Sequence, residues 1–452
     1  MSIAAGTECQ YETIYLRRRS LSSSTNVTIS RRGLQENMPS TTLPNLSINE
    51  DRLWSTLERS AEIGVGKAGG LRRVALSDDD KVMRDQFVKW CQSCNCTVTV
   101  DAAGNIFARR AGREDGLAPV LVGSHLDTQA AGGRFDGILG VLSGLEILRT
   151  LEEQKIVTRR PIEVVNWTNE EGARFAPPMA ASCVFAGFQS LEWLHNLHDD
   201  DGIRFGDELS RIGYLGDAPV GGRELDSYFE LHIEQGPLME QNDSSVGVVT
   251  GGYASHALTS VFRGDCAHTA TTEMKKRRNT MIGASYFLAA VNDIGWEYEP
   301  IGRTSATRMV IWPNKFGILP EYTEVTVDMR HPERKITDEM VAKTRAALTE
   351  AAEKANVDYE ITAEWTFGDE VFESDCAQLV RDAAISRGIS QMDMTSIAGH
   401  DAYFISRIAP TALVFSPCID GITHNEAQDV KREPTIEAVN VFFDAVVARA
   451  DR

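Results

Sequence analysis

Long apolar runs and a basic excess are both missing from the 452-residue sequence. No segment approaches the roughly 20 consecutive apolar residues that a membrane-spanning helix needs. The 46 Lys and Arg are outnumbered by 65 Asp and Glu, which leaves a formal charge of −19. Because nucleic acids and anionic membrane surfaces are negatively charged, this charge disfavours both as partners. We therefore expect a soluble globular protein whose partner is a small molecule.

Cysteine is scarce, and its spacing indicates no zinc motif. Among eight Cys, only Cys91, Cys94 and Cys96 lie close together in the sequence. A structural zinc site would need a second pair of ligands nearby, and the sequence offers none. We interpret these thiols as reduced side chains of the core. The sequence also lacks a secretory signal, so a reducing, cytoplasmic location is expected.

Residues 1–45 lack the sustained apolar periodicity of the rest of the chain. They are rich in Arg and Ser, as in "LRRRSLSSSTNVTISRR". This composition predicts a disordered tail. A mitochondrial transit peptide is the alternative, although Glu8 and Glu12 are atypical of such peptides.

From residue 46 onward, predicted strands alternate with predicted helices, which indicates an α/β fold. A capping box at Ser47–Glu50 opens the first helix. Residues 251–366 follow a different order, β-α-β-β-α-β, which predicts an inserted α+β domain. The sequence therefore predicts a catalytic domain in two parts, 46–250 and 367–452, with a central mixed sheet flanked by helices.

Histidine is rare, with nine in the chain, and three of the nine follow apolar strands: His125, His232 and His424. Each alone is more typical of a hydrogen-bonded core histidine than of a metal ligand. Asp136 and the adjacent Glu170 and Glu171 follow strands in the same way, at the ends where open α/β sheets place their sites. Imidazole and carboxylate suit Zn²⁺, and a dinuclear site needs about five such ligands with one carboxylate shared.

The adjacent residues Glu170 and Glu171 are predicted to have two different roles. Side chains of neighbouring extended residues diverge, so the two carboxylates are not expected to bind the same ion. One would ligate the metal while the other acts as a base. An exposed acidic turn after a strand is the alternative interpretation.

Five segments, taken in order, resemble the dinuclear-zinc M20 peptidase superfamily, and within it the N-carbamoyl-amino-acid amidohydrolase branch. That branch includes the yeast-type β-alanine synthases (β-ureidopropionases) and the allantoate amidohydrolases. The resemblance runs from about residue 50 to the C-terminus. The segments are "GSHLDT" at His125, "GGRFDG" at Asp136, "NEEGARF" at Glu170, "ELHIEQG" at His232 and "HN" at His424.

The resemblance implies a role for each of these residues. It implies two Zn²⁺ ions, with Mn²⁺, Co²⁺ or Ni²⁺ as alternatives, and a general base and acid at Glu170. Asp127 would orient the first histidine ligand, as second partners of metal-bound histidines do. The implied ligands are His125 and His232 for one ion, Glu171 and His424 for the other, and Asp136 as the bridge.

The inserted domain resembles the ferredoxin-like lid and dimerisation domain of this family, which implies a homodimer. His268 would hydrogen-bond the oxyanion, and Arg330 would bind the substrate carboxylate, a bidentate task that suits guanidinium. Gln235 would also bind substrate. Without the resemblance, "DMRHP" around Arg330 is typical of a strand end followed by a turn.

The sequence departs from the family pattern mainly in this inserted domain. Glu273 and Asn279 replace Pro and Asp, and Gly317 stands where the family has a substrate-binding Asn. The ligands and the base are intact, so we predict an amidohydrolase that cleaves an N-carbamoyl amino acid to the amino acid, CO₂ and ammonia. Allantoate hydrolysis, an aminoacylase or dipeptidase activity and a non-catalytic binding protein are the alternatives.

Overall fold

The computed structural model describes residues 46–372 and 374–452. The predicted tail or targeting segment, residues 1–45, lies outside the described residues. In the described part of the chain, no helix combines the length and the apolar character needed to cross a bilayer.

Strands and helices alternate along most of the described chain. The strands are β1 (Thr97–Val100), β2 (Ile106–Arg110), β3 (Val120–His125), β4 (Ile162–Trp167), β5 (Ser227–Ile233), β6 (Val246–Gly252), β7 (Ala254–Arg263), β8 (Ala267–His268), β9 (Arg303–Trp312), β10 (Ile318–Leu319), β11 (Tyr322–His331), β12 (Asp358–Phe367), β13 (Gln391–Ser396) and β14 (Thr411–Ser416). The α-helices are α1 (Glu50–Ala61), α2 (Asp78–Ser93), α3 (Ile138–Glu153), α4 (Ala180–Phe185), α5 (Leu191–His195), α6 (Phe205–Ile212), α7 (Leu238–Gln241), α8 (Thr280–Glu297), α9 (Arg334–Ala355), α10 (Ser374–Arg387), α11 (Ala402–Ile405) and α12 (Arg432–Ala450).

The larger sheet has eight strands in the order β1-β2-β4-β3-β5-β14-β6-β13. Its centre, β4-β3-β5-β14, is parallel, whereas β2 pairs antiparallel with β4 and β6 pairs antiparallel with β14. The predicted α/β fold with a central mixed sheet is therefore confirmed. Because the four central strands run the same way, their C-terminal ends open on one edge of the sheet.

Helices cover both faces of this sheet. Successive strand residues point to opposite sides, and every residue of β3, β4 and β5 is buried, so both faces are packed. Gly144 of α3 faces Val122 and Val164 on one side, where a Cβ would lie 2.9 Å from the Val164 side chain. On the other side Leu121, together with alternate apolar residues of the neighbouring strands, packs into a core that includes Phe404 of α11.

The smaller sheet has four antiparallel strands in the order β12-β7-β11-β9. Along the chain its elements run β7, α8, β9, β11, α9, β12, and the short pair β8 and β10 lies in its loops. Helices α8 and α9 pack against the sheet around a separate core that includes Phe262, Phe287 and Met340.

Two local expectations meet different outcomes. The first helix is capped by Asn49, whose side chain accepts from the Arg52 amide, so the predicted cap at Ser47 was wrong. Asn caps a helix as well as Ser does, and Asn49 directly precedes the first helical residue, Glu50. Cys91, Cys94 and Cys96 are buried and unbridged, as predicted.

Candidate metal centre and active site

The chemically active side chains gather where the four parallel strands end. His125 is the last residue of β3, and His232 is the last but one of β5. Glu170 and Glu171 follow β4, and His424 lies in the loop after β14. The strand order of the sheet thus brings together residues from distant parts of the sequence.

Two of these residues, together with Asp136 from the loop after β3, form a buried set of donors that we call the inner group: His125, Asp136 and His232. Their potential ligand atoms all lie within 4.8 Å of one another, and each residue is at most 2% exposed. His232 Nε2 is 3.2 Å from Asp136 Oδ1, and the two imidazole rings are 5.8 Å apart.

A second set, which we call the outer group, consists of Asp136, Glu171 and His424. His424 Nε2 lies 3.4 Å from Glu171 Oε2 and 3.7 Å from Asp136 Oδ2. Asp136 therefore belongs to both groups. The outer group is open on one side, because the His424 side chain is 49% exposed.

The two inner histidines are oriented by main-chain carbonyls. His125 Nδ1 lies 2.8 Å from the Asp127 carbonyl oxygen, and His232 Nδ1 lies 3.0 Å from the Ile233 carbonyl oxygen. Donation from Nδ1 leaves Nε2 as the ligand atom on each ring, the arrangement that metal-binding histidines use.

The carboxylates are held by amide side chains. Gln129 Nε2 donates to Glu171 Oε2 at 2.8 Å. Asp136 accepts from Gln235 Nε2 at 3.1 Å and from Gln428 Nε2 at 3.3 Å. These contacts fix the positions of the carboxylates. Burial, together with the charges of Asp136 and Asp127, raises the pKa of Glu171 well above its usual value.

Asp127 acts through two different parts of the residue. Its main-chain carbonyl meets His125, whereas its carboxylate Oδ1 is 4.0 Å from His125 Nδ1. The carboxylate instead accepts from the amides of Glu170 and Glu171, both at 3.3 Å. Asp127 therefore links a histidine of the inner group to the backbone of the acidic pair.

The two adjacent glutamates point to different groups. Glu170 Oε2 lies 3.4 Å from His125 Nε2, while Glu171 faces His424. Burial, together with the nearby carboxylates of Asp401 and Glu171, raises the pKa of Glu170 well above its usual value. A raised pKa of this kind is typical of carboxyl groups that act as general acids and bases.

The three side chains of the inner group shift one another's pKa values. Burial and the neighbouring His232 lower the pKa of His125 to about 4, so its imidazole is neutral at pH 7. Burial alone would raise the pKa of Asp136, but the hydrogen bond and charge of His232 outweigh it and lower that pKa. Burial alone would lower the pKa of His232, but the hydrogen bond and charge of Asp136 outweigh it and raise that pKa. Two imidazoles and a carboxylate, all buried, are a donor set that fits a divalent transition-metal ion.

Arg330 on β11 forms an ion pair with Asp328 of the same strand, with its Nε 2.6 Å from Asp328 Oδ1. Its guanidinium donates to the Ile397 carbonyl at 2.9 Å and packs over the Phe367 ring. Burial lowers the pKa of His400, and the charges of His232 and Arg330 add to that effect. The centre of the His400 ring lies 4.4 Å from that of the His232 ring, so His400 contacts the inner group and also senses the charge of Arg330.

The remaining two predicted substrate residues differ in position. Gln235 is at the site, where its amide donates to Asp136. His268 is exposed on β8, and its Nδ1 accepts from the amides of Ala270 and Thr271. In the described residues no hydrogen bond or ion pair joins His268 to either group, so its role stays a prediction.

Sequence reasoning missed His400 and Glu230. His400 is 1% exposed, and its Nε2 has no hydrogen-bond partner among the described residues. Glu230, on β5 beside His232, accepts from Ser124 Oγ at 2.7 Å and from the Ala402 amide at 3.0 Å. The polar pair His400–Asp401 preceding the apolar run "AYFI" was the available signal.

Residues 121–448 match the peptidase family M20/M25/M40. The chain belongs to this family. The M20 resemblance drawn from the motifs is therefore confirmed.

Similar proteins include relatives with named activities and solved structures. The chain is 42% identical over 407 residues to an N-carbamoyl-L-amino-acid amidohydrolase of Rhizobium meliloti, covering 90% of this chain and 98% of that protein. It is 28% identical over 391 residues to the allantoate amidohydrolase of Escherichia coli, covering 86% and 95%. A crystal structure of a hydantoinase/carbamoylase family amidase from Burkholderia vietnamiensis superposes with a TM-score of 0.87, at 44% identity, over 90% of this chain and 99% of that chain.

Proposed function

We propose that the protein is a metal-dependent amidohydrolase that cleaves the linear C–N amide bond of an N-carbamoyl amino acid. The products would be the amino acid, CO₂ and ammonia. The observation that carries the proposal is the pair of donor groups sharing Asp136, with Glu170 beside them. The named activities of the relatives support the same reaction class.

The inner group would hold one cation through His125 and His232, and the outer group a second through Glu171 and His424. Asp136 would bridge them, and Zn²⁺ is the proposed ion because three imidazoles and two carboxylates suit it. When bound, such cations supply Lewis acidity that acidifies water and polarises a carbonyl.

Glu170 would take a proton from the attacking water and deliver it to the leaving nitrogen. Its position supports this role, since it faces the inner group and is anchored through its amide to Asp127. Burial keeps its proton affinity high, and a base of this kind typically contributes about 10²–10⁴ in rate.

Arg330 would bind the substrate carboxylate, with Gln235 beside the bridging acid. We propose that residues 251–366 form a lid that closes over a catalytic domain of residues 46–250 and 367–452. Closure would exclude water from the bond being cleaved.

We further propose that the enzyme is a cytoplasmic homodimer assembled through this lid, with His268 contributed by a neighbouring subunit. Exposed apolar side chains on one helix and one edge strand of the smaller sheet support an interface there. They are Met281, Ile282 and Tyr286 on α8, and Met309, Val310 and Trp312 on β9.

A substrate panel tests the proposal. Purified enzyme loaded with Zn²⁺ should hydrolyse N-carbamoyl-α-amino acids or N-carbamoyl-β-alanine, and chelation should abolish the activity. Turnover of allantoate alone, or of N-acetyl amino acids alone, would identify one of the alternative enzymes. A metal-loaded protein inactive on every compound would favour the binding protein.

The variant Glu170→Gln gives the matched control for the chemistry. We expect kcat to fall by about 10²–10⁴ while both cations remain bound, because the residue moves the proton and does not ligate. Unchanged turnover would rule out Glu170 as the base. Metal content measured on the same samples separates lost chemistry from lost cations.

A further inference from the structure

The His424 loop is the least supported part of the donor set. His424 has a backbone φ of +47°, a region that residues with side chains rarely adopt. Its ring is half exposed, and in the described part of the chain no hydrogen bond orients its Nδ1. The inner histidines have such a bond, so something else must fix this ligand.

Two residues later, Glu426 is seated in a cradle of main-chain amides. Its carboxylate accepts from the amides of Lys67 at 3.1 Å, Ala68, and Gly70 at 3.3 Å. The cradle belongs to the segment between α1 and α2, more than 350 residues away in sequence. Successive amides aimed at one point form an anion-binding concavity, and here a carboxylate of the same chain occupies it.

The cradle is shaped around this carboxylate. A Cβ added to Gly66 would lie 2.5 Å from Glu426 Oε2, and all its nearest neighbours would be atoms of the Glu426 side chain. The cradle is itself held in place, because the Gly66 amide donates to the Gly70 carbonyl at 2.8 Å and Leu71 pairs with Gly132. Glycine at position 66 therefore leaves the space that the carboxylate fills.

The loop has a second anchor on the far side of Glu426. Gln428 is 1% exposed, accepts from the amides of Phe135 and Asp136, and donates to the Asp136 carboxylate at 3.3 Å. Glu426 and Gln428 together fix the chain just beyond His424. Glu426 takes no part in either donor group.

We propose that Glu426 is a positioning residue for the outer cation: by binding the amides of residues 67–70 it holds His424 in ligating position. The inference rests on the proposed two-cation site. A carboxylate suits the task because hydrogen bonds to an ionised acceptor are stronger than those to a neutral one. The inner group does not depend on this contact.

Zn²⁺ titration tests the inference with two variants that reach the same contact from opposite sides. Glu426→Ala removes the carboxylate. Gly66→Ala pushes the carboxylate out of the cradle, although it changes no residue of the His424 loop. Each should weaken the binding of one Zn²⁺ equivalent by about 10–100-fold, the usual effect of losing a residue that supports a ligand. Glu426→Gln, which retains one acceptor oxygen, should fall in between.

Asp429→Asn is the matched control. It removes a charge from the same loop, where Asp429 forms a partly exposed 2.9 Å ion pair with Arg134. Both Zn²⁺ affinities should match those of the wild type. Thermal unfolding of every variant with one Zn²⁺ bound checks that the fold is intact, independently of activity.

Two results would count against the inference, and they are distinguishable. If the wild type binds two Zn²⁺ and both Glu426→Ala and Gly66→Ala bind two with unchanged affinity, the positioning role is wrong while the proposed function stands. If the wild type binds fewer than two Zn²⁺, the two-cation site is wrong, and the inference is wrong with it.

Discussion

The inner and outer groups share one carboxylate but are built in different ways. The inner histidines lie on adjacent parallel strands, are at most 1% exposed, and are oriented by carbonyls one or two residues away. In the outer group, His424 lies on a loop with a half-exposed side chain, and its support comes from the distant cradle of residues 67–70. Local strand geometry therefore builds one half of the centre, and long-range loop contacts build the other.

This difference predicts unequal cation sites. Water competes little for a ligand that is buried and already oriented, whereas an exposed ligand on a loop exchanges with solvent more readily. We expect the inner group to bind its cation more tightly and the outer group to release its cation first.

Removing the shared carboxylate should disrupt the inner and outer groups together and give the largest effect. In Asp136→Asn we expect metal content to fall from two equivalents to less than one, because both groups lose a charged ligand. Turnover should fall by about a thousandfold or more, since metal activation supplies several kcal/mol. Elemental analysis and steady-state kinetics provide the measurement, and retention of both cations would show that Asp136 is not shared.

A matched pair of histidine variants should separate the two halves. His424→Asn is expected to keep the inner cation and lose the outer one, with that affinity reduced by more than about 100-fold, since a direct ligand matters more than its support. His125→Asn should lose the inner cation and unfold at a lower temperature, because it alters a fully buried position. Equal effects on both cations in either variant would contradict the division into groups.

Chelation should show the same difference as two rates of cation release, without any mutation. Dialysis of the loaded enzyme against a weak chelator is expected to remove one equivalent several-fold faster than the other. Activity should be lost with the first equivalent if both cations are needed. A single release rate for both ions would indicate that exposure of His424 does not control exchange.

The last prediction concerns Arg330, which lies outside both groups. Arg330→Lys should raise KM by about 10–100-fold, because a lysine cannot replace the two-pronged guanidinium contact with a carboxylate. Metal content should stay at two equivalents. A loss of metal in this variant would show that Arg330 supports His400 and the inner group and does not serve substrate alone.

The elements of the fold were more predictable than their assembly. Apolar runs such as "PVLVG" before His125 identified the buried strands, and the polar residues at their ends are the ones that the structure brings together. The order β4-β3-β5-β14, which makes these ends neighbours, depends on long-range pairing that no local pattern encodes. Strand β13 was missed because "QMDMTS" alternates weakly at the sheet edge.

Site residues were predictable where a motif contains them and unpredictable where contacts define them. Asp127 was expected to orient His125, but which of its atoms does so depends on the turn after β3. His400 and Glu426 were missed, because only contacts with residues far away in sequence show that they belong to the site. His400 contacts His232, and Glu426 contacts the amides of residues 67–70.

The spread of the ligands along the chain has a consequence for folding. Thr423, next to His424, donates a hydrogen bond to Asp136 across a separation of 287 residues. A cation held by Asp136 and His424 would act as a reversible cross-link that closes more than half of the chain into one loop. Its binding energy would add to the stability of the folded state. During synthesis, strands β3 to β5 would emerge long before the His424 loop. The nascent chain would therefore contain all three residues of the inner group and two of the three in the outer group before His424 is made.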